Sequence, residues 1–218
     1  MIYESGLISL IIQLITGFLI LFGLNIDIPD DKRLLNDLLK LELGVQSIEL
    51  IFYIWLIGNI NQMSNITKYR YYDWMFSTPI MLITLNAFLD QHNYTSIQDY
   101  VSKNKSYLGK ILLANLAMLV FGLLGEMHIL NYNLAIILGW IPFIYVFARI
   151  YEKKIKNKTT TTANTRLYWL FLISWSLYGV AAFLPYVPKN IMYNVLDLFS
   201  KNLVGLILFY TIWKNSIQ

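Results

Sequence analysis

Apolar residues come in long runs along this chain, and polar residues collect in short breaks between them. A helix that crosses a bilayer needs about 20 mostly apolar residues. Seven segments qualify: residues 4–24, 33–59, 68–90, 105–127, 131–152, 166–186 and 189–213. The breaks IDIPDDKR, NQMSN, DQHNYTSIQDYVSKNKS, HILNYN and KKIKNKTTTTANTR carry turn or polar chemistry. LPYVPKN, with Pro185 and Pro188, interrupts the chain before the last run. The pattern predicts an all-α membrane protein: a seven-transmembrane helix bundle forming a single domain over residues 1–218, with no internal repeat.

Composition agrees. Hydrophobic residues make up 57% and charged residues 14%, where a soluble domain carries about 25% charged. The absence of cysteine excludes disulfides, thiol catalysis and thiolate metal sites. His92 and His128 fall near predicted helix ends with nothing at metal-ligand spacing, so they read as structural or solvated, and no metal is expected. The net charge of +4 does not point to a nucleic-acid partner, because the basic residues are gathered in one connection. Arg149, Lys153, Lys154, Lys156, Lys158 and Arg166 stand there against one acid, Glu152. The positive-inside rule puts that connection in the cytoplasm, which sets the N-terminus outside and the C-terminus in the cytoplasm. The start lacks a basic stretch and a small-residue cleavage site, so the first apolar run, Leu7 to Leu24, reads as a retained helix.

Against this background a few charges are out of place. RYYDWMFSTP puts Arg70 and Asp73 inside the third run, and NVLDLFSKNLVGL puts Asp197 and Lys201 inside the seventh. An ionised side chain at bilayer depth costs roughly 2.5–3.5 kcal/mol on insertion scales, and such residues face the bundle interior. Asp197 and Lys201 are four apart, hence on one helix face. The plain reading is a structural ion pair, since snorkelling is disfavoured by more than ten helical residues on each side of Lys201. The functional reading is a lysine that relays a proton or, as a neutral amine, condenses with an aldehyde. A cation formed there needs a carboxylate beside it, and Asp73 and Asp197 are the candidates.

These residues carry a resemblance that covers essentially the whole chain. RYYDWMFSTP is similar to the third-helix signature of microbial rhodopsins, R-Y-x-D-W-x-x-T-T-P, and DLFSK resembles their seventh-helix D-x-x-x-K. WSLYG, Trp175 to Gly179, is similar to the W-x-x-Y-P of their sixth helix, and GLLGEM, Gly122 to Met127, sits where their fourth helix packs on the cofactor's ring. The resemblance implies all-trans retinal held as a protonated Schiff base on Lys201, with Asp73 as counterion and proton acceptor, Asp197 as second counterion, Arg70 compensating the two carboxylates, and Ser77 hydrogen-bonding Asp73. It implies a pocket walled by Tyr71, Trp74, Met118, Gly122, Trp140, Trp175 and Tyr178; by themselves these side chains read as ordinary core packing. Gly179 stands where the family has proline, and Ala182 where it has a second tryptophan. That wall is expected to be looser.

The family includes pumps, channels and sensors, so fold alone does not decide function. The usual donor position of an outward proton pump, eleven residues after the acceptor, is Thr84. The second helix instead places Glu42 and Glu49 two turns apart on one face, with Gln46 between them. A solvated helix end accounts for Glu42, but poorly for Glu49, deep among apolar residues. Ser9 and Gln13 lie one turn apart on the first helix, and Asn202 follows the lysine. Together they are expected to line a hydrophilic ion pathway, and spaced carboxylates favour cations. This set resembles the rhodopsins of large marine viruses that act as light-gated cation channels, reported to conduct monovalent cations and to be inhibited by calcium. The leading expectation is such a channel, not an enzyme, in a host-cell membrane and in contact with lipid. The alternative is a weak outward proton pump with Asp73 as acceptor and Glu42 as donor; homo-oligomers occur in a related viral group. A photosensor ranks third, since an output segment would extend past Gln218.

Overall fold

The computed structural model describes residues 1–156 and 160–216; Lys158 of the basic connection lies outside them. Among the described residues seven helices run through the chain: α1 Ile2–Gly23, α2 Arg33–Asn59, α3 Thr67–Leu89, α4 Ile97–Glu126, α5 Tyr132–Lys156, α6 Thr162–Ala181 and α7 Tyr186–Ser216. Each helix packs on the next, and α7 returns to α1 and α2, closing a ring. All but α3 and α6 are long and apolar enough to cross a membrane on composition alone. Helix α3 falls short because it carries the interior's polar groups: Arg70, Asp73, Ser77, Thr78, Thr84 and Asn86 are all buried.

The bundle is apolar outside and polar at its centre, as expected where lipid rather than water surrounds it. Phe18 is 70% exposed and Ile51 69%, whereas Arg70, Glu42, Glu49 and Asp197 are at 0%. Elsewhere the interior is a conventional apolar core, with Leu38, Leu85, Phe147, Phe171 and Leu208 in one buried cluster.

Helix boundaries differ from the sequence expectation where polar residues were taken for connections. Helix α4 starts at Ile97, not 105, because the Ser96 side chain accepts the Asp99 backbone N–H at 3.2 Å and caps the first turn. Polar composition there marks a helix leaving the apolar layer, not a loop. Helix α6 likewise starts at Thr162, capped by Thr161, and ends at Ala181. Helix α7 begins at Tyr186, ahead of Pro188, whose missing N–H falls in the first turn where no intrahelical acceptor exists.

Two helices contain a wider π turn, at Tyr151–Lys156 in α5 and Leu198–Asn202 in α7. The π turn in α7 leaves Ser200, Lys201 and Asn202 all buried, and π-bulges of this kind gather at functional sites.

Candidate functional site: a buried lysine, its carboxylates and an apolar pocket

Lys201 projects from the π turn of α7 into a set of carboxylates from three helices. Its Nζ lies 2.5 Å from Asp73 Oδ2 on α3, 3.5 Å from Asp197 Oδ1 one turn back on α7, and 3.9 Å from Glu49 Oε1 on α2. The third contact goes beyond the sequence expectation, which puts Glu49 on an ion path alone.

The two aspartates are held differently. Asp197 accepts hydrogen bonds from the Tyr53 hydroxyl at 2.7 Å and the Tyr178 hydroxyl at 2.5 Å, and faces Arg70 Nη1 at 3.5 Å. Asp73 meets Lys201 through Oδ2, while its Oδ1 has no hydrogen-bond partner among the described residues. The Ser77 hydroxyl, one turn along α3, donates to the Asp73 backbone carbonyl at 2.9 Å, the usual outlet for a serine inside a helix. Arg70 pairs with Asp197 rather than with Asp73. It is fixed by α7 instead, with Nε donating to Asn190 Oδ1 at 3.2 Å and Nη2 donating to Asn194 Oδ1. The Ser9 hydroxyl donates to the Asn194 carbonyl at 3.1 Å, which ties α1 into the same network.

On the other side of Lys201 opens an apolar pocket. Tyr71, Trp74, Met118, Gly122, Trp140, Trp175 and Tyr178 all line it, joined by Thr78, Leu119, Phe143 and Tyr193, which sequence inspection had not singled out. Trp74 sits edge-on to Tyr178 and Tyr193, at ring-centre distances of 5.5 and 5.3 Å. Gly122 leaves space that Tyr71 occupies: a Cβ there would collide with the Tyr71 ring. Gly179 is filled from across the pocket, where an added Cβ would lie 2.5 Å from Trp140 Cζ2. The wall expected to be loose, for want of proline at 179, is closed by that indole. An elongated apolar polyene fits this pocket: its walls are rings and aliphatic groups, it ends on one buried amine, and carboxylates stand behind that amine. Trp74, Trp175, Tyr178 and Trp140 would hold the chain and ring of retinal, with Lys201 as its attachment point.

A third feature lies between α1, α2 and α7. Glu42, Gln46 and Glu49 are at 0–3% exposure, as are Gln13 and Asn202, and the polar atoms of all five side chains lack hydrogen-bond partners among the described residues. Ser9, at 1% exposure, adjoins the Arg70 end of this set. Glu42 is therefore not a solvated acid at a helix end: the closed ring of α1, α2 and α7 buries it, with its Cγ 3.4 Å from the Cβ position of Gly205. Buried polar groups without partners cost free energy and are rare in folded proteins, so five in one seam mark a place built for something other than packing. Thr84, at the usual donor position, is also buried with an unpartnered hydroxyl. Among the described residues no three histidine or acidic side chains converge as a ready-made metal site.

The bacteriorhodopsin-like protein family matches residues 5–215 of the chain. A green-light absorbing proteorhodopsin of Gamma-proteobacterium EBAC31A08 is 27% identical over 165 residues, which cover 69% of this chain and 63% of that protein. A blue-light absorbing proteorhodopsin of Gamma-proteobacterium Hot 75m4 is 24% identical over the same length, 62% of that protein. The chain thus spans somewhat less than two thirds of the curated relatives it matches. The crystal structure of viral rhodopsin OLPVRII superposes with a TM-score of 0.84 at 29% identity, covering 98% of both chains. Blue light-absorbing proteorhodopsin from Med12 gives 0.80 at 20% identity, covering 100% of this chain and 99% of that one.

Proposed function

This chain belongs to the bacteriorhodopsin-like family, whose members carry retinal on a lysine, and from that premise we propose that it is a photoreceptor working as a light-gated channel for monovalent cations. The observation that carries the channel reading is the seam of Gln13, Glu42, Gln46, Glu49 and Asn202, whose polar atoms lack hydrogen-bond partners among the described residues. Such a seam takes water, and its two carboxylates replace part of the hydration of a cation crossing the apolar layer. Its upper end meets Lys201 through Glu49, at 3.9 Å.

When bound, retinal supplies light absorption and a light-driven change of shape at its lysine end. The protein's own groups do the rest. Asp73 Oδ2 balances positive charge at the lysine nitrogen in the dark and is the proton acceptor, because its second oxygen is committed to nothing. Asp197 stays in place, clamped by two phenols and Arg70. Arg70, Asn190 and Asn194 close the α3–α7 end of the path by hydrogen bonding. Any charge shift at the lysine nitrogen is felt by Glu49, which links the pocket to the seam. The basic residues of the α5–α6 connection favour a cytoplasmic C-terminus by the positive-inside rule.

A weak outward proton pump is the second reading, favoured by the direct Asp73–Lys201 contact and by Glu42 at the opposite end of the seam from Arg70. Liposomes loaded with sodium test the choice. Light should discharge a sodium gradient in whichever direction it is imposed. Light-driven movement of protons against a gradient, with no sodium flux, would contradict the channel.

A further inference from the structure

At the end of the bundle shared with the basic α5–α6 connection, a cleft opens between the first turns of α4 and the last turns of α5. Lys103, Asn104, Tyr107 and Lys110 line it from α4, and Arg149 and Lys153 from α5. Lys103, Tyr107 and Lys110 recur at helical spacing on one face, so the charges converge by register rather than by chance of side-chain direction.

The cleft has a built floor. Lys153 Nζ donates to Asn104 Oδ1 at 2.7 Å and lies 3.8 Å from the centre of the Tyr107 ring; Asn104 is only 6% exposed and is itself anchored to the Tyr100 carbonyl. Behind the floor the buried Asp90 is paired with Lys154, and two further acids bind from the rim. Asp99 pairs with Lys103 at 2.9 Å and Glu152 with Arg149 at 2.8 Å, all four side chains being at least 40% exposed. Exposed pairs of this kind are weak, and a stronger anion displaces them.

The surface below the cleft is apolar. On α5 the cleft residue Tyr145 follows Ile141 at helical spacing and is followed by Arg149; Ile141 and Ile144 are 63% and 60% exposed. On α4, Leu113 lies one turn past Lys110 and is 68% exposed. A cationic cup above two lipid-facing ridges, with a tyrosine at the junction, matches an anionic headgroup carried on acyl chains.

We propose that this α4–α5 cleft binds the phosphate-bearing headgroup of an anionic phospholipid, the phosphates against Lys110, Arg149 and Lys153 and the acyl chains along α4 and α5. The same phosphate chemistry is available from a soluble polyphosphate, and the test separates the two. The retinal-loaded protein in neutral detergent is titrated with short-chain phosphatidylinositol bisphosphate, short-chain phosphatidylcholine and inositol hexakisphosphate, with bound species counted by native mass spectrometry. The bisphosphate lipid should bind at least about tenfold more tightly than phosphatidylcholine, at about one lipid per chain, and more tightly than inositol hexakisphosphate. Lys110→Ala with Arg149→Ala should lose about tenfold or more of that affinity, while Lys68→Ala at the start of α3 loses none. Unchanged visible absorption certifies the fold of each variant. Equal affinity in the cleft variant and the parent would overturn the site. Inositol hexakisphosphate binding as tightly as the lipid would overturn the lipid as its occupant.

Discussion

Glu49 Oε1 lies 3.9 Å from Lys201 Nζ, across the contact between α2 and α7. One carboxyl thus belongs both to the surroundings of the attachment lysine and to the polar seam. In the proposed channel it is the link by which an event at the lysine reaches the path for ions. It also changes what substitution of Glu49 should do. From sequence, its loss would touch conduction alone; with this contact, Glu49→Gln should shift the visible absorption to the red as well as remove most of the passive photocurrent. Absorption spectra and current amplitudes from the same variant check both arms.

Asp73→Asn should give the larger red shift of the two. Its Oδ2 is at 2.5 Å from the lysine nitrogen against 3.9 Å for Glu49, and the pairing energy of charges falls with distance. An unchanged spectrum would mean that Asp73 does not face the bound cofactor.

Lys201→Ala should yield a colourless protein after addition of all-trans retinal. The other described buried lysines do not line the pocket and are engaged elsewhere, Lys154 with Asp90 and Lys189 with Glu126 at 2.7 Å. A visible chromophore that survives acid denaturation of the variant would refute the attachment site.

Tyr53→Phe leaves Asp197 Oδ2 without its best donor in a fully buried site. Losing a hydrogen bond to a charged group costs about 1.5–3 kcal/mol. The midpoint of thermal bleaching should therefore fall by several degrees, while Tyr3→Phe at the exposed N-terminus leaves it unchanged.

Much of this arrangement was legible beforehand. Spanning helices announce themselves because lipid demands an unbroken apolar run, and Lys201, Asp73 and Asp197 stood out because charges break such runs. Three sequence signals went unused. Tyr53 is four residues after Glu49, on the same face. Asn190 and Asn194 are spaced at four before Asp197, forming a polar stripe on α7 that holds Arg70. The start of α4 was hidden by its polarity, although Ser96 and Asp99 offered a cap. The Glu49–Lys201 contact was not legible at all. It depends on how α2 and α7 are rotated against each other, which packing across the whole ring decides. The filling of Gly179 by Trp140 has the same origin: no local pattern says which distant side chain takes the space a glycine leaves.

Calcium should suppress the photocurrent only at concentrations of roughly 0.1–1 mM or above, the range of loosely assembled sites. Glu42 and Glu49 stand two turns apart in the seam, and no ready-made cage exists among the described residues. Glu42→Gln should relieve the block. Full inhibition at about micromolar calcium would require a tighter site elsewhere.

The central claim is that light opens a passive path for cations, and current–voltage recording in retinal-supplied cells tests it most directly. Photocurrents are measured under voltage clamp, first with sodium outside and then with sodium replaced by a large organic cation. The channel account predicts a current that reverses sign with voltage, with the reversal potential moving to more negative values on replacement. A photocurrent that stays outward at every reachable voltage, indifferent to external sodium, would contradict it.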